Sequence, residues 1–136
     1  MSGAADRLEL HIANELHELE RVGRALEEFG RAAAVPPPAI SAIVLAVDEL
    51  LTNIIWYAGS SDIFLRVRRE ADELIAELDD AGKPFDPLQV EPPRLDIPID
   101  ERPIGGLGIH LVRQLVDGVS YERVGDRNRL TLRKRI

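Results

Sequence analysis

Apolar and polar residues alternate near the start of the chain. Leu8, Leu10 and Ile12 interleave with Arg7, Glu9 and His11, the period-two pattern of a strand with one buried face. From Asn14 the spacing changes to three and four, with Leu16, Leu19, Gly23, Leu26 and Phe29–Gly30 on one line, which predicts a helix capped by Asn14. Pro36, Pro37 and Pro38 end that helix and set up the next. Ile40, Ile43, Val44, Val47, Leu50, Leu51 and Ile54 then make a broad apolar stripe, predicting a helix over 39–58 with Gly59 as its stop.

Alternation returns at Ile63, Leu65 and Val67 and again at Leu74, Ala76 and Leu78, so two strands form a hairpin around 70–72. Residues 81–103 hold six of the nine prolines and read as a loop, with a lid over about 86–104. A stretch of that length without regular structure is usually a functional lid or binding loop. A helix over 105–117 follows, with Ile109, Val112 and Val116 as its core positions, and then a closing hairpin around Gly125–Asp126. Most strands have one apolar and one charged face, and helical segments interleave with hairpins. The expected fold class is α+β: a two-layer α/β sandwich, its mostly antiparallel sheet covered by helices on one side.

A chain of 136 residues with 45% hydrophobic and 30% charged residues is expected to be a single domain over 1–136. The net charge of −7 argues against direct nucleic-acid binding and against an anionic membrane surface, and suits a basic partner. There is no cysteine, hence no disulfide, no thiol nucleophile and no cysteine-based zinc site. The apolar stretches read as too short and too interrupted by charge to span a bilayer. Asp6, Arg7 and Glu9 break the first ten residues, so no secretory signal is expected and the chain reads as cytoplasmic.

Three constellations bear on chemistry. Glu49 and Asn53, four apart, share one helix flank, where a carboxylate and an amide can orient water and ligate a hard cation, or can simply be solvated. Asp80 has the parity of Leu74, Ala76 and Leu78 and points toward the helices, whereas Asp79 shares the polar face with Glu77. An inward carboxylate needs a donor or a ligand; Gly82 and Phe85 beside it can admit and underlie a flat group, or form an ordinary Asp-x-Gly turn. Gly105, Gly106, Leu107, Gly108 and Ile109 lead into a helix, where backbone N–H groups can meet an anion, or serve as a hinge. They fit neither a dinucleotide fingerprint nor a P-loop. His11, His17 and His110 have no metal-ligand spacing; His110 can touch a phosphate or lie on the surface. Trp56 and Tyr57 are expected to be packing residues.

In this order, Glu49-x-x-x-Asn53, Asp80-x-Gly82-x-x-Phe85-Asp86-Pro87 and Gly106-x-Gly108 together resemble the ATP-binding fold of the GHKL superfamily, which includes gyrase, histidine kinases and MutL. The size and the Phe-Asp-Pro ending resemble the anti-sigma-factor serine/threonine-protein kinases of the RsbW and SpoIIAB type. The resemblance implies ATP and Mg²⁺ as cofactors. It makes Asn53 the metal ligand and Glu49 the catalytic general base. Asp80 would accept from the adenine amino group, Gly82 and Phe85 would lie along the base, and the glycine run would offer amides to the phosphates. Asn128, with the inward parity of Leu130 and Leu132, would stand near the adenine in place of a threonine. Tyr57 stands where members often carry a histidine.

The implied partners are an anti-anti-sigma protein of the STAS fold, as phosphoryl acceptor, and a sigma factor. A homodimer is also implied, with the first helix and first strand as the expected interface. Two other readings remain: an anti-sigma module that holds nucleotide without turning it over, and the catalytic part of a histidine kinase. Against the last, no helix with a phosphoaccepting histidine is expected upstream, and His17 is a poor acceptor.

Overall fold

The structure, a computed structural model, describes residues 6–60, 62–89 and 106–136. Five strands, β1 (Arg7–Ile12), β2 (Ile63–Glu70), β3 (Glu73–Asp80), β4 (Gly118–Val124) and β5 (Arg127–Arg135), form one sheet in the order β1-β2-β3-β5-β4. Every pairing is antiparallel. Three helices, α1 (Glu18–Ala32), α2 (Pro37–Asn53) and α3 (Gly106–Leu115), pack on one face. The α+β two-layer sandwich expected from the alternation is the fold observed, and its core lies between the helices and the inward side chains of the strands.

The central helix explains most of this arrangement. Pro37 and Pro38 occupy its first turn, where a missing N–H costs nothing. Its buried positions Ile40, Ile43, Val47, Leu50 and Leu51 recur at three and four. The last turn, Ile54–Ala58, widens to a π-helix and ends at Gly59, which is left-handed at φ 67°. Together Pro37–Ala58 is long and apolar enough to cross a membrane, which corrects the expectation that no stretch qualifies. More than half of it is buried inside the fold, as a core helix must be.

The first helix begins later than its periodicity suggests. It starts at Glu18, after a turn, and Asn14 is not its cap. Instead the Asn14 side chain donates to the carbonyl of Ser60, tying the start of the chain to the end of the α2 extension. The helix entry is fixed by Glu18, whose Oε2 accepts from the Ala13 N–H at 2.9 Å and whose carboxylate pairs with Arg21. The hydrogen bond from Arg21, then that from Ala13, lowers the Glu18 pKa to about 2.

The face of the sheet away from the helices carries a charge ladder. Arg68 bridges Glu70 and Glu77 at 2.7 and 3.0 Å, and Arg133 meets Glu73 at 2.8 Å. Near the other end, His11 stacks on Phe64 with centroids 4.6 Å apart, and Arg127 meets Asp62 at 3.0 Å. Asp79 lies beneath Arg127 and Arg129. It shares the Glu77 face as expected, but it is buried, because two guanidiniums from β5 cover it.

Candidate functional site

The site is built where the C-terminal half of α2 meets the start of α3 and the ends of β3 and β5. Glu49 is half-buried on the α3 side of α2, and Asn53 follows one turn later, 6% exposed. Among the described residues the Asn53 side chain has no hydrogen-bond partner. Gly108 lies directly against the Glu49 carboxylate: a Cβ there would overlap Glu49 Oε2 and stand 3.2 Å from Cδ. Glu49 and Gly108, 59 positions apart in the sequence, are therefore in contact.

The second half of the site is a hydrogen-bonded node at the end of β3. Asp80 is 2% exposed and points to the helix side, as its parity predicts. Its Oδ1 accepts from the Gly82 N–H at 2.8 Å and from Asn128 Nδ2 at 3.1 Å. Among the described residues no cation pairs with it, and both bonds fall on one oxygen. Gly82 tolerates no side chain, since a Cβ would overlap the Ala58 carbonyl oxygen and stand 2.8 Å from Asp80 Oδ1. The Lys83 N–H donates to that same carbonyl at 3.2 Å, so the π-turn after Asn53 sets the height of the Gly82 loop. The widened turn also brings the Tyr57 ring to 5.8 Å from Phe85. Such turns recur at functional sites because they re-aim side chains within a helix.

Asn128, opposite Asp80 across the β3–β5 ladder, commits its whole amide to the protein. Nδ2 donates to Asp80 and, at 2.8 Å, to the Lys83 carbonyl. Oδ1 accepts from the Phe85 N–H at 3.1 Å, the Tyr121 hydroxyl at 2.6 Å and Arg123 Nη1 at 3.2 Å. Arg123 Nη1 also donates to the Gly82 carbonyl at 2.8 Å. Tyr121 and Arg123 were missed by sequence reading. Their signal was available: both share parity with Val119 on β4, and Arg123 stands opposite Asn128.

Gly106, Leu107, Gly108 and Ile109 open α3, so their backbone N–H groups are at a helix N-terminus as expected. The Ile109 side chain is in the core, leaving its backbone for any ligand. Gly105 and all of the expected lid beyond Gln89 lie outside the described residues; Pro87–Gln89 within it is a single 3-10 turn. His110 is exposed and 3.2 Å from Gln114 Nε2. Trp56, expected to pack, is instead exposed, because it falls in line with Leu45, Asp48 and Thr52 on the outward face of α2, while Tyr57 meets Phe85.

Among the described residues no three His, Asp or Glu side chains gather to hold a metal. A single buried amide oxygen with a carboxylate one turn away suits Mg²⁺, which keeps several waters and takes its other ligands from substrate phosphates. Gly82 and Gly108 let the backbone pack directly against Ala58, Asp80 and Glu49, and the Asn53 amide, without a partner among the described residues, is the group that fits a Mg·nucleotide.

Comparison with known proteins agrees. The family model described as histidine kinase-like ATPase domain matches residues 12–134. The serine/threonine-protein kinase BtrW of Bordetella bronchiseptica is 33% identical over 94 residues, which cover 66% of this chain and 66% of BtrW. The chain thus matches just under two thirds of that relative's length. The RsbU and RsbW domains of a Mycobacterium tuberculosis protein superpose with a TM-score of 0.67 at 16% identity, over 95% of this chain and 32% of that one. SiaB in the SiaB–SiaC complex of Pseudomonas aeruginosa gives 0.60 at 18% identity, over 95% and 89%. The two structures share the fold, and BtrW bears the name of a serine/threonine-protein kinase. With nine-tenths of its length matched by the family model, the chain belongs to the histidine kinase-like ATPase domain family.

Proposed function

We propose that this chain is a partner-switching protein kinase. It transfers a phosphoryl group from Mg·ATP to a serine or threonine of a STAS-domain partner, and it binds a sigma factor in alternation with that partner. The observation that carries the reading is the contact of Gly108 with the Glu49 carboxylate, one helical turn from Asn53, whose side chain has no partner among the described residues. That contact brings the Glu49 carboxylate against the N-terminus of α3, which supports Glu49 as the base and Asn53, one turn on, as the metal ligand.

Bound Mg·ATP supplies the electrophilic γ-phosphoryl group. Asn53 offers its amide oxygen to the metal, and the first N–H groups of α3, at Gly106, Leu107, Gly108 and Ile109, face the phosphates. Asp80 accepts from the adenine amino group through the oxygen that Gly82 and Asn128 leave open. Gly82 keeps its loop tight against Ala58 and Asp80, its N–H fixing Asp80 Oδ1 toward the base, with Phe85 and Tyr57 forming an aromatic wall beside it. Asn128 acts through Asp80 as a positioning residue, since its own groups are all engaged. Glu49 takes the proton from the acceptor hydroxyl. Positioning and charge neutralisation carry most of such a transfer. BtrW bears the name of a serine/threonine-protein kinase, and SiaB is seen in complex with a partner, SiaC, which supports the transfer of both features to this chain.

The test is incubation with labelled Mg·ATP and STAS-domain proteins of the same genome. Phosphoserine or phosphothreonine is expected, reduced about 10²–10⁴-fold in Glu49→Gln, which still binds nucleotide. Nucleotide binding without transfer by the intact chain would replace the kinase with a non-catalytic binding module, and phosphohistidine on the chain would make it a histidine kinase.

A further inference from the structure

α2 lies between α1 and α3, so one narrow face of it is left to solvent. The α1 side is occupied by Val44, Val47 and Leu51, which line a small groove with Val22 and Leu26, and the α3 side by Glu49 against Gly108. Between them run Leu45, Asp48, Thr52 and Trp56, at intervals of three and four residues. Two of these are large apolar side chains turned outward: Leu45 is 51% exposed and Trp56 is 55% exposed. On the neighbouring helix, Leu111 is 39% exposed. A helix face normally carries charge where it meets water. Here it carries a leucine and a tryptophan about 16 Å apart along the axis, with Glu49 between them at its edge.

The charge of this face is one-sided. Pro37–Ala58 contains no Lys, Arg or His, and among the described residues neither Asp48 nor Glu49 has an ion-pair partner. Asp48 stands at the rim of the α1–α2 groove, and the loss of water around its carboxyl raises its pKa, so a cation arriving there would relieve an existing cost.

We propose that the outward face of α2, from Leu45 through Asp48 to Trp56 with Leu111 beside it, docks the protein that accepts the phosphoryl group. The fitting partner presents its serine or threonine hydroxyl between apolar side chains, with a Lys or Arg next to them. The apolar flanks settle on Leu45 and Trp56, the cation meets Asp48, and the hydroxyl falls at Glu49. Tryptophan is enriched among the residues that dominate protein interfaces, and a charge at the rim sets register and on-rate. This inference rests on the kinase reading, and its test separates the two.

Trp56 is the sole tryptophan, so it reports on its own face. Addition of a STAS-domain protein that accepts phosphate should shift its emission to the blue and protect it from acrylamide, whereas Mg·ATP alone should do neither. In the transfer assay, Leu45→Ser combined with Trp56→Ser should raise KM for the protein acceptor tenfold or more, with kcat and ATP binding unchanged. Asp48→Lys should raise KM and weaken its dependence on salt. Transfer with an unchanged KM in both variants, or an accepting partner that leaves Trp56 fluorescence unmoved, would overturn the docking face while sparing the kinase. If the double variant instead converts a dimer to a monomer, the face belongs to a second copy and the proposal is wrong. Transfer by the intact chain to no such protein would overturn the kinase reading and this face with it.

Discussion

Asp79 and Asp80 are consecutive residues of the same type, each 2% exposed, and they face opposite sides of one strand. Asp79 lies on the open face under two guanidiniums, Arg127 and Arg129, and Arg127 is shared with Asp62. Asp80 faces the helices and, among the described residues, meets only neutral donors, the Gly82 N–H and the Asn128 amide. A buried carboxylate is costly unless compensated. On one side the protein compensates the charge fully, which makes a fastening for β3 and β5. On the other, two bonds hold one oxygen of the carboxylate, and no described residue bonds the second. What distinguishes the structural aspartate from the one proposed to bind adenine is the company it keeps rather than its burial.

The contrast can be broken from either side. The largest effect on stability is expected from Asp79→Asn. It leaves Arg127 and Arg129 without their common partner and should cost about 2–3 kcal/mol in denaturant unfolding, below the figure for a fully buried pair because both guanidiniums keep contact with water. Nucleotide binding should survive in that variant. Gly82→Ala comes next: its methyl must displace the Ala58 carbonyl or the Asp80 side chain, at about 1–3 kcal/mol. Unlike Asp79→Asn, it should also weaken nucleotide binding, which calorimetric titration would read. Tyr121→Phe removes one of three donors to Asn128 Oδ1 and should cost about 1 kcal/mol while weakening nucleotide binding slightly.

The smallest effect sharpens the comparison with a carboxylate remote from the site. Glu18 is held by Arg21 and the Ala13 N–H, with its pKa lowered to about 2 from 4.5. A depressed folded-state value means that the stabilisation is complete above the unfolded value and is lost as pH falls through the folded one. Glu18→Gln should therefore cost about 0.5 kcal/mol near neutrality, and the gap from wild type should close between about pH 4.5 and pH 2. Thermal unfolding at stepped pH checks this, and nucleotide binding should be unaffected throughout.

Much of this was legible in the sequence because it depends on local period. The parity of Asp80 with Leu74, Ala76 and Leu78 gave its direction, and the stripe from Ile40 to Ile54 gave the central helix. The features that were not legible depend on distant partners. Asn14 has the chemistry of a cap, and only Ser60, 46 residues on, makes it a tether. Asp79 reads as a surface residue until β5 brings its arginines across, 48 and 50 residues away. The turn at Ile54–Ala58 has an apolar sequence suited to an α-helix, so its widening was not legible, and of the two residues expected to pack, Tyr57 meets Phe85 while Trp56 is exposed. Asn128 was found by parity, but its role as a hub needed Tyr121 and Arg123 from the edge strand.

The most direct test of the central claim, that the helix side of this strand end is a Mg·ATP site, is a thermal-shift titration of the wild type, Asp80→Asn and Asp79→Asn. At ~100 times the dissociation constant, Mg·ATP should stabilise the wild type by about 2.7 kcal/mol, a rise on the order of 6–12 °C for a domain of this size. The account predicts the same rise in Asp79→Asn, from a lower starting temperature, and none in a folded Asp80→Asn. An undiminished rise in Asp80→Asn, or no rise in the folded wild type, would contradict it.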